Sequence, residues 1–83
     1  MQILYHPRAI KFLQKISRKE AKRTVEQIEK LVYFPDVAVD IKKLINSQRS
    51  YRLRVGTIRV IFEVDTSTKT IFIHEIDFRG NIY

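Results

Sequence analysis

The sequence predicts a small α+β domain in the order β-α-α-β-β-β, with a small antiparallel sheet and two N-terminal helices packed on one of its faces. Three observations lead there. Apolar residues recur at helical spacing through the first half of the chain and alternate with polar ones in the second. Gly56-Thr57 separates two alternating runs in the Gly-X form of a two-residue type II′ hairpin turn. A chain of 83 residues has room for one domain, residues 1–83, and one modest core.

Gln2 to Tyr5 reads as a short first strand. Pro7 suits the first turn of a helix, where its missing N–H costs nothing. Ala9, Phe12, Leu13 and Ile16 then mark one buried face. Ser17 and Glu20 have the spacing of a capping box and open a second helix. Its core stripe is Ala21, Val25, Ile28 and Val32. Pro35 stops that helix and forces Phe34 out of the α region. Asp36 to Ser50 carries little periodic signal and reads as mostly irregular, with Leu44 and Ile45 able to pack on the core and a turn at Asn46-Ser47. Tyr51–Val55, Ile58–Val64 and Ile71–Phe78 are the remaining strands, the last two joined by a polar turn at Asp65–Lys69.

Composition narrows the function classes. Apolar residues make up 45% of the chain, too many for a disordered segment. There is no cysteine, so a disulfide framework and a thiolate metal site are both excluded. No apolar run approaches the roughly 20 residues needed to span a bilayer, no membrane partner is indicated, and the N-terminal residues lack the apolar stretch of a signal peptide. The expected location is therefore the cytoplasm. Net charge is +7, which points to a polyanionic partner, either nucleic acid or an acidic protein segment.

The hairpin fixes a register. With Val55 and Ile58 flanking the turn, Arg54 falls opposite Arg59, Leu53 opposite Val60, Arg52 opposite Ile61 and Tyr51 opposite Phe62. Side chains alternate across a strand, so Arg52, Arg54, Arg59 and Ile61 share one face, while Tyr51, Leu53, Val55, Ile58, Val60, Phe62 and Val64 form the core face. Like charges facing each other across a sheet repel. Either the long side chains splay into water, or the face holds phosphate, for which the guanidinium fork is well shaped. A five-residue loop at Asp65–Lys69 pairs Phe62 with Phe72, Val60 with His74 and Ile58 with Ile76. It places Glu75 opposite Arg59 and leaves Asp77 and Arg79 on the arginine face. Ile71 and Ile73 then join Ile61 there as an exposed apolar patch suited to a partner peptide.

The run Tyr51-Arg52-Leu53-Arg54-Val55-Gly56-Thr57-Ile58-Arg59-Val60-Ile61-Phe62 and the ending Arg79-Gly80-Asn81-Ile82-Tyr83 resemble the RelE/ParE toxin superfamily. The upstream order of elements, Pro35 and Lys42-Lys43-Leu44 extend the resemblance over nearly the whole chain. The hairpin motif does not separate the ribonuclease branch from the gyrase-inhibiting ParE branch, whereas the Arg-x-x-x-Tyr ending leans toward the ribonucleases. The resemblance implies a toxin of a toxin–antitoxin pair that cuts messenger RNA on the ribosome by attack of a 2′-hydroxyl on the adjacent phosphate. It implies no metal and no cofactor, and an antitoxin partner whose arm wraps the toxin. Carried over by position, Arg52, Arg54 and Arg59 hold the phosphate, Arg79 lies near the leaving oxygen, and Tyr83 stacks on a base.

Some such enzymes carry lysines where this chain has Arg52 and Arg54. Arginine keeps its proton and is a poor general base. Catalysis is then mainly electrostatic, or another group takes the proton. Glu75 is the candidate, with a plain salt bridge to Arg59 as its alternative role. Lys15, Arg18, Lys19, Lys22 and Arg23 form either a solvated face or a contact to ribosomal RNA. His74 is expected in the core with a hydrogen-bonded partner, and Tyr33 and Phe34 are expected to pack at the helix end. The alternatives to a ribonuclease are a ParE-like gyrase inhibitor and an inactive relative that binds only an antitoxin or nucleic acid.

Overall fold

The computed structural model describes residues 1–80. Its elements are β1 (Gln2–Tyr5), α1 (Pro7–Lys15), α2 (Arg18–Glu29), a 3₁₀ helix (Lys30–Tyr33), β2 (Ile41–Lys43), β3 (Ser50–Val55), β4 (Ile58–Asp65) and β5 (Thr70–Phe78). The five strands form one sheet in the order β1-β5-β4-β3-β2. All neighbours are antiparallel except β1 and β5, which run parallel, so the sheet is mixed. The α+β outline holds. The parallel pair follows from α1 and α2 carrying the chain away from β1 before the β3–β4–β5 meander brings it back alongside.

Both helices start where side chains supply the missing acceptors. His6 caps α1, its Nδ1 accepting from the Arg8 amide at 3.1 Å. Ser17 caps α2, its Oγ accepting from the Glu20 amide at 3.1 Å and donating to the Glu20 carboxylate at 3.2 Å. Ala9 is buried from α1, with Phe12, Leu13 and Ile16 packed partly buried beside it. The stripe of α2 ends differently from its expected course. From Lys30 the helix tightens to 3₁₀, so the next core position falls three residues after Ile28. Leu31 is consequently fully buried and Val32 is exposed. Thr24 is also buried, and its hydroxyl donates to the Glu20 carbonyl at 2.8 Å, which lets a polar residue sit on the apolar stripe. Phe34 adopts φ −53°, ψ 138° as Pro35 requires, and packs edge-on against Tyr51 at 5.1 Å. Tyr33 does not pack: it is 71% exposed.

The segment expected to be mostly irregular contains β2, three residues paired with Leu53, Arg52 and Tyr51. Leu44 is half-buried, and Ile45 points to solvent instead of the core. Asn46 takes φ 64° in the expected turn.

The β3–β4 register is the expected one throughout, from Val55 opposite Ile58 to Tyr51 opposite Phe62. Gly56 has φ 60° and Thr57 is not among the positive-φ residues, as a type II′ turn requires. The β4–β5 register departs from expectation twice. Asp65 pairs with Thr70, so the loop is one residue shorter, and a one-residue slip exchanges the faces. A bulge between Ile61 and Phe62 then leaves His74 as the extra residue and restores the face of Ile76. Ile71 and Ile73 are therefore fully buried under the helices. His74 leaves the core and sits half-exposed, 3.6 Å from the Glu63 carboxylate and edge-on to Phe72 at 4.6 Å. The short loop is stabilised by Asp65, whose Oδ1 accepts from the Ser67 hydroxyl at 2.6 Å and the Ser67 amide at 3.0 Å. The Ser67 hydroxyl, then the Thr68 and Ser67 amides and the charge of Arg49, hold the Asp65 carboxyl below the usual carboxylate range.

Candidate functional site

The helices cover one face of the sheet, and the opposite face carries the basic residues. Cross-strand partners share a face, so the face can be read row by row. Nearest the β3–β4 turn lie Arg54, Arg59 and Asp77, each opposite the next. The following row is Lys42, Arg52, Ile61 and Glu75. Further along come Ser50, Glu63, Phe72 and Leu4. Positive charge is thus concentrated at the hairpin end, and the far row holds one carboxylate and one hydroxyl beside Phe72 and Leu4.

Two more arginines converge on that end. The Arg79 amide donates to the Thr57 carbonyl at 2.6 Å, which ties the end of β5 to the hairpin turn. From the helix layer, the guanidinium of Arg23 lies over Gly56, where an added Cβ would collide with it. The absence of a side chain at Gly56 is what admits it. Arg23 therefore reaches the hairpin group, although it is exposed like Arg18, Lys19 and Lys22 along α2.

Arg59 is the unusual member. It is only 5% exposed, although Arg54 opposite is exposed. Among the described residues, no acceptor lies within hydrogen-bond reach of its Nε and Nη1, both of which are buried. Buried charged donors left in this state are costly, and the expense is met when an anion arrives. A phosphate oxygen supplies what these atoms lack.

The remaining expectations divide. Arg52, Arg54, Arg59 and Ile61 share the face as expected, and Arg79 is anchored beside them. Tyr83 lies outside the described residues. Glu75 is opposite Ile61, and the carboxylate facing Arg59 is Asp77, because the shorter loop and the bulge each move the pairing by one position. Asp77 Oδ1 accepts from the Phe78 amide at 2.7 Å. Glu75 and Asp77 also line a cleft with Arg8, Lys11 and Lys15 of α1, beyond the stretch of β5 that β1 covers. The apolar patch of Ile61, Ile71 and Ile73 does not form, since the last two are core residues. The apolar residues on that face are Ile61, Phe72 and Leu4. The sequence reading missed Phe72 through the slipped register, and its only signal was the length of the Asp65 loop.

A family model described as the ParE toxin of the type II toxin–antitoxin system matches residues 3–83. The chain belongs to the RelE/ParE toxin superfamily. Toxin RelE3 of Methanocaldococcus jannaschii is 30% identical over 86 residues, covering 100% of this chain and 96% of that protein. The putative toxin RelE1 of the same organism is 34% identical over 80 residues, 94% of this chain and 89% of that one. Among solved structures, the RelE–RelB complex of Pyrococcus horikoshii superposes with a TM-score of 0.82 at 30% identity over 96% of both chains. The isolated Escherichia coli RelE toxin superposes at 0.79 over 96% of this chain and 85% of that one, at 14% identity, a likeness of fold alone. This RelE/ParE member is thus similar to RelE toxins over nearly its full length. No helix among the described residues is long and apolar enough to cross a membrane.

Proposed function

We propose that the chain is a RelE-type toxin that cleaves messenger RNA on the ribosome, with the cognate antitoxin, the ribosome and mRNA as its partners. The observation that carries this is Arg59, a buried guanidinium with two donors awaiting an anion, set opposite Arg54 and close to the turn that holds Arg79.

In this reading the scissile phosphate enters the hairpin end of the face. Arg59, Arg54 and Arg52 hold its non-bridging oxygens and stabilise the charge that grows as the 2′-hydroxyl attacks. The new bond is from the 2′-oxygen to phosphorus, and the bond to the 5′-oxygen breaks. The products are a cyclic phosphate and, once the leaving oxygen takes a proton from water, a 5′-hydroxyl. Arg79 stands beside the leaving oxygen, and Tyr83 stacks on a base. Arginines hold their protons at ordinary pH, so the cluster works by charge and position. Glu75, two residues before Asp77 on β5, is the carboxylate assigned to accept the attacking proton. The exposed Lys15, Arg18, Lys19 and Lys22 add salt-dependent affinity for ribosomal RNA.

Primer extension on mRNA from a cell-free translation reaction tests this. Wild-type protein should give cuts within codons, and the double variant Arg52→Ala, Arg54→Ala and the single variant Arg79→Ala should give none. A ParE-like gyrase inhibitor is the second reading, favoured by the description of the matching family model. Intact mRNA together with inhibited gyrase supercoiling would support it.

A further inference from the structure

A second surface, along the open edge of β1, has the features of a peptide-docking groove. β1 is the last strand of the sheet, with β5 on one side only. The amides of Gln2 and His6 donate to the Lys69 and Ile73 carbonyls at 2.9 and 2.8 Å, so the even-numbered positions of β1 face β5. By alternation, the N–H and C=O groups of Ile3 and Tyr5 face the open edge. The side chains of the same two residues line a groove of about 650 Å³ between β1 and the end of the second helix. Its far wall carries Val32 and Tyr33, 36% and 71% exposed, two of the large apolar side chains the fold leaves in water.

The rim selects the occupant. Two carboxylates, Glu26 and Glu29, line the groove with Lys30, on a chain whose total charge is +7, and the Met1 ammonium donates to the Val32 carbonyl of its wall at 2.8 Å. Glu29 is close enough to be felt at the Tyr5 phenol, where burial first and this charge second raise the pKa. A second copy pairing through β1 would bring two acidic rims together. Nucleic acid would meet carboxylates. A basic strand meets neither obstacle.

We propose that the β1 edge and this groove bind an extended protein segment that alternates apolar side chains with lysine or arginine. The segment adds a strand to β1 through the main-chain groups of Ile3 and Tyr5. Its apolar side chains cover Val32 and Tyr33, and its basic ones reach Glu26 and Glu29. The site is independent of the ribonuclease reading, because it shares no residue with the arginine face.

The test titrates the full, isotope-labelled chain with a short synthetic peptide alternating valine with lysine and arginine. Its acidic twin carries glutamate at the basic positions. The basic peptide should shift the amide resonances of Ile3, Tyr5 and Tyr33 and slow hydrogen exchange at Ile3 and Tyr5. The acidic twin should bind at least about tenfold more weakly, and the double variant Glu26→Lys, Glu29→Lys should weaken the basic peptide by about tenfold. Should that variant not fold, the salt dependence of the wild-type titration decides, with affinity falling as salt rises. Shifts confined to other surfaces would overturn the proposal, as would equal binding of the two peptides or Ile3 and Tyr5 amides already protected by a concentration-dependent dimer.

Discussion

Arg54 and Arg59 face each other across β3 and β4, one exposed and the other buried with two donors lacking an acceptor among the described residues. A chain selected for stability alone would not retain such a pair. Replacing Arg59 with leucine should therefore stabilise the fold by about 1–3 kcal/mol, since a buried unsatisfied polar group costs that much. The same change should reduce RNA cleavage by about 10²–10³-fold, the usual effect of removing one group that stabilises developing negative charge. Urea denaturation read beside primer extension checks both. A variant that is less stable and fully active would show that Arg59 has only a structural role.

Gly56 combines φ 60° with the guanidinium of Arg23 overhead. The backbone term should dominate, because the end of an arginine side chain can swing away. Gly56→Ala should cost about 1–2 kcal/mol, and adding Arg23→Ala should restore little of it. Denaturation of the single and double variants measures the difference. Full restoration would mean that the contact, not the turn conformation, fixes glycine at this position.

Ile73 and Ile61 separate the two possible registers of β5. Ile73 is fully buried and Ile61 only partly so. Ile73→Ala should cost about 2–5 kcal/mol, whereas Ile61→Ala should cost about 1 kcal/mol or less. A cost at Ile73 as small as that at Ile61 would restore the register in which both lie on the arginine face.

The contrast between these strands shows what local sequence can carry. A two-residue turn with one glycine has few conformations, so Gly56-Thr57 made the whole β3–β4 pairing legible, and with it the face shared by Arg52, Arg54 and Arg59. The polar run from Asp65 to Thr70 admits several loop lengths, and only the hydrogen bonds made by Asp65 select the short one. The bulge at His74 has no glycine or proline to announce it. The three residues of β2, two of them lysine, are too few to show alternation, and such short lysine-bearing strands are common at sheet edges. The exchange of Val32 for Leu31 depends on a helix tightening that the apolar period does not encode.

Asp65 also sets a pH dependence. Its folded-state pKa is lowered, chiefly by the Ser67 hydroxyl, so its contribution is present above the unfolded value of about 3.9 and is lost as pH falls through the folded value. The carboxylate is exposed, so the effect should be small. The melting temperature of Asp65→Ala should lie below that of the wild type at neutral pH, and the gap should narrow below about pH 4. A gap that widens toward acid would contradict the assigned role of the carboxylate.

The most direct measurement of the central claim uses purified ribosomes programmed with a defined mRNA and mixed with antitoxin-free protein under single-turnover conditions. The account predicts cleavage only when ribosomes are present, 2′,3′-cyclic phosphate ends, and no reaction when the nucleotide before the cut lacks its 2′-hydroxyl. It also predicts loss of cleavage in Arg59→Leu despite its higher stability. Intact mRNA with folded wild-type protein on programmed ribosomes would contradict it.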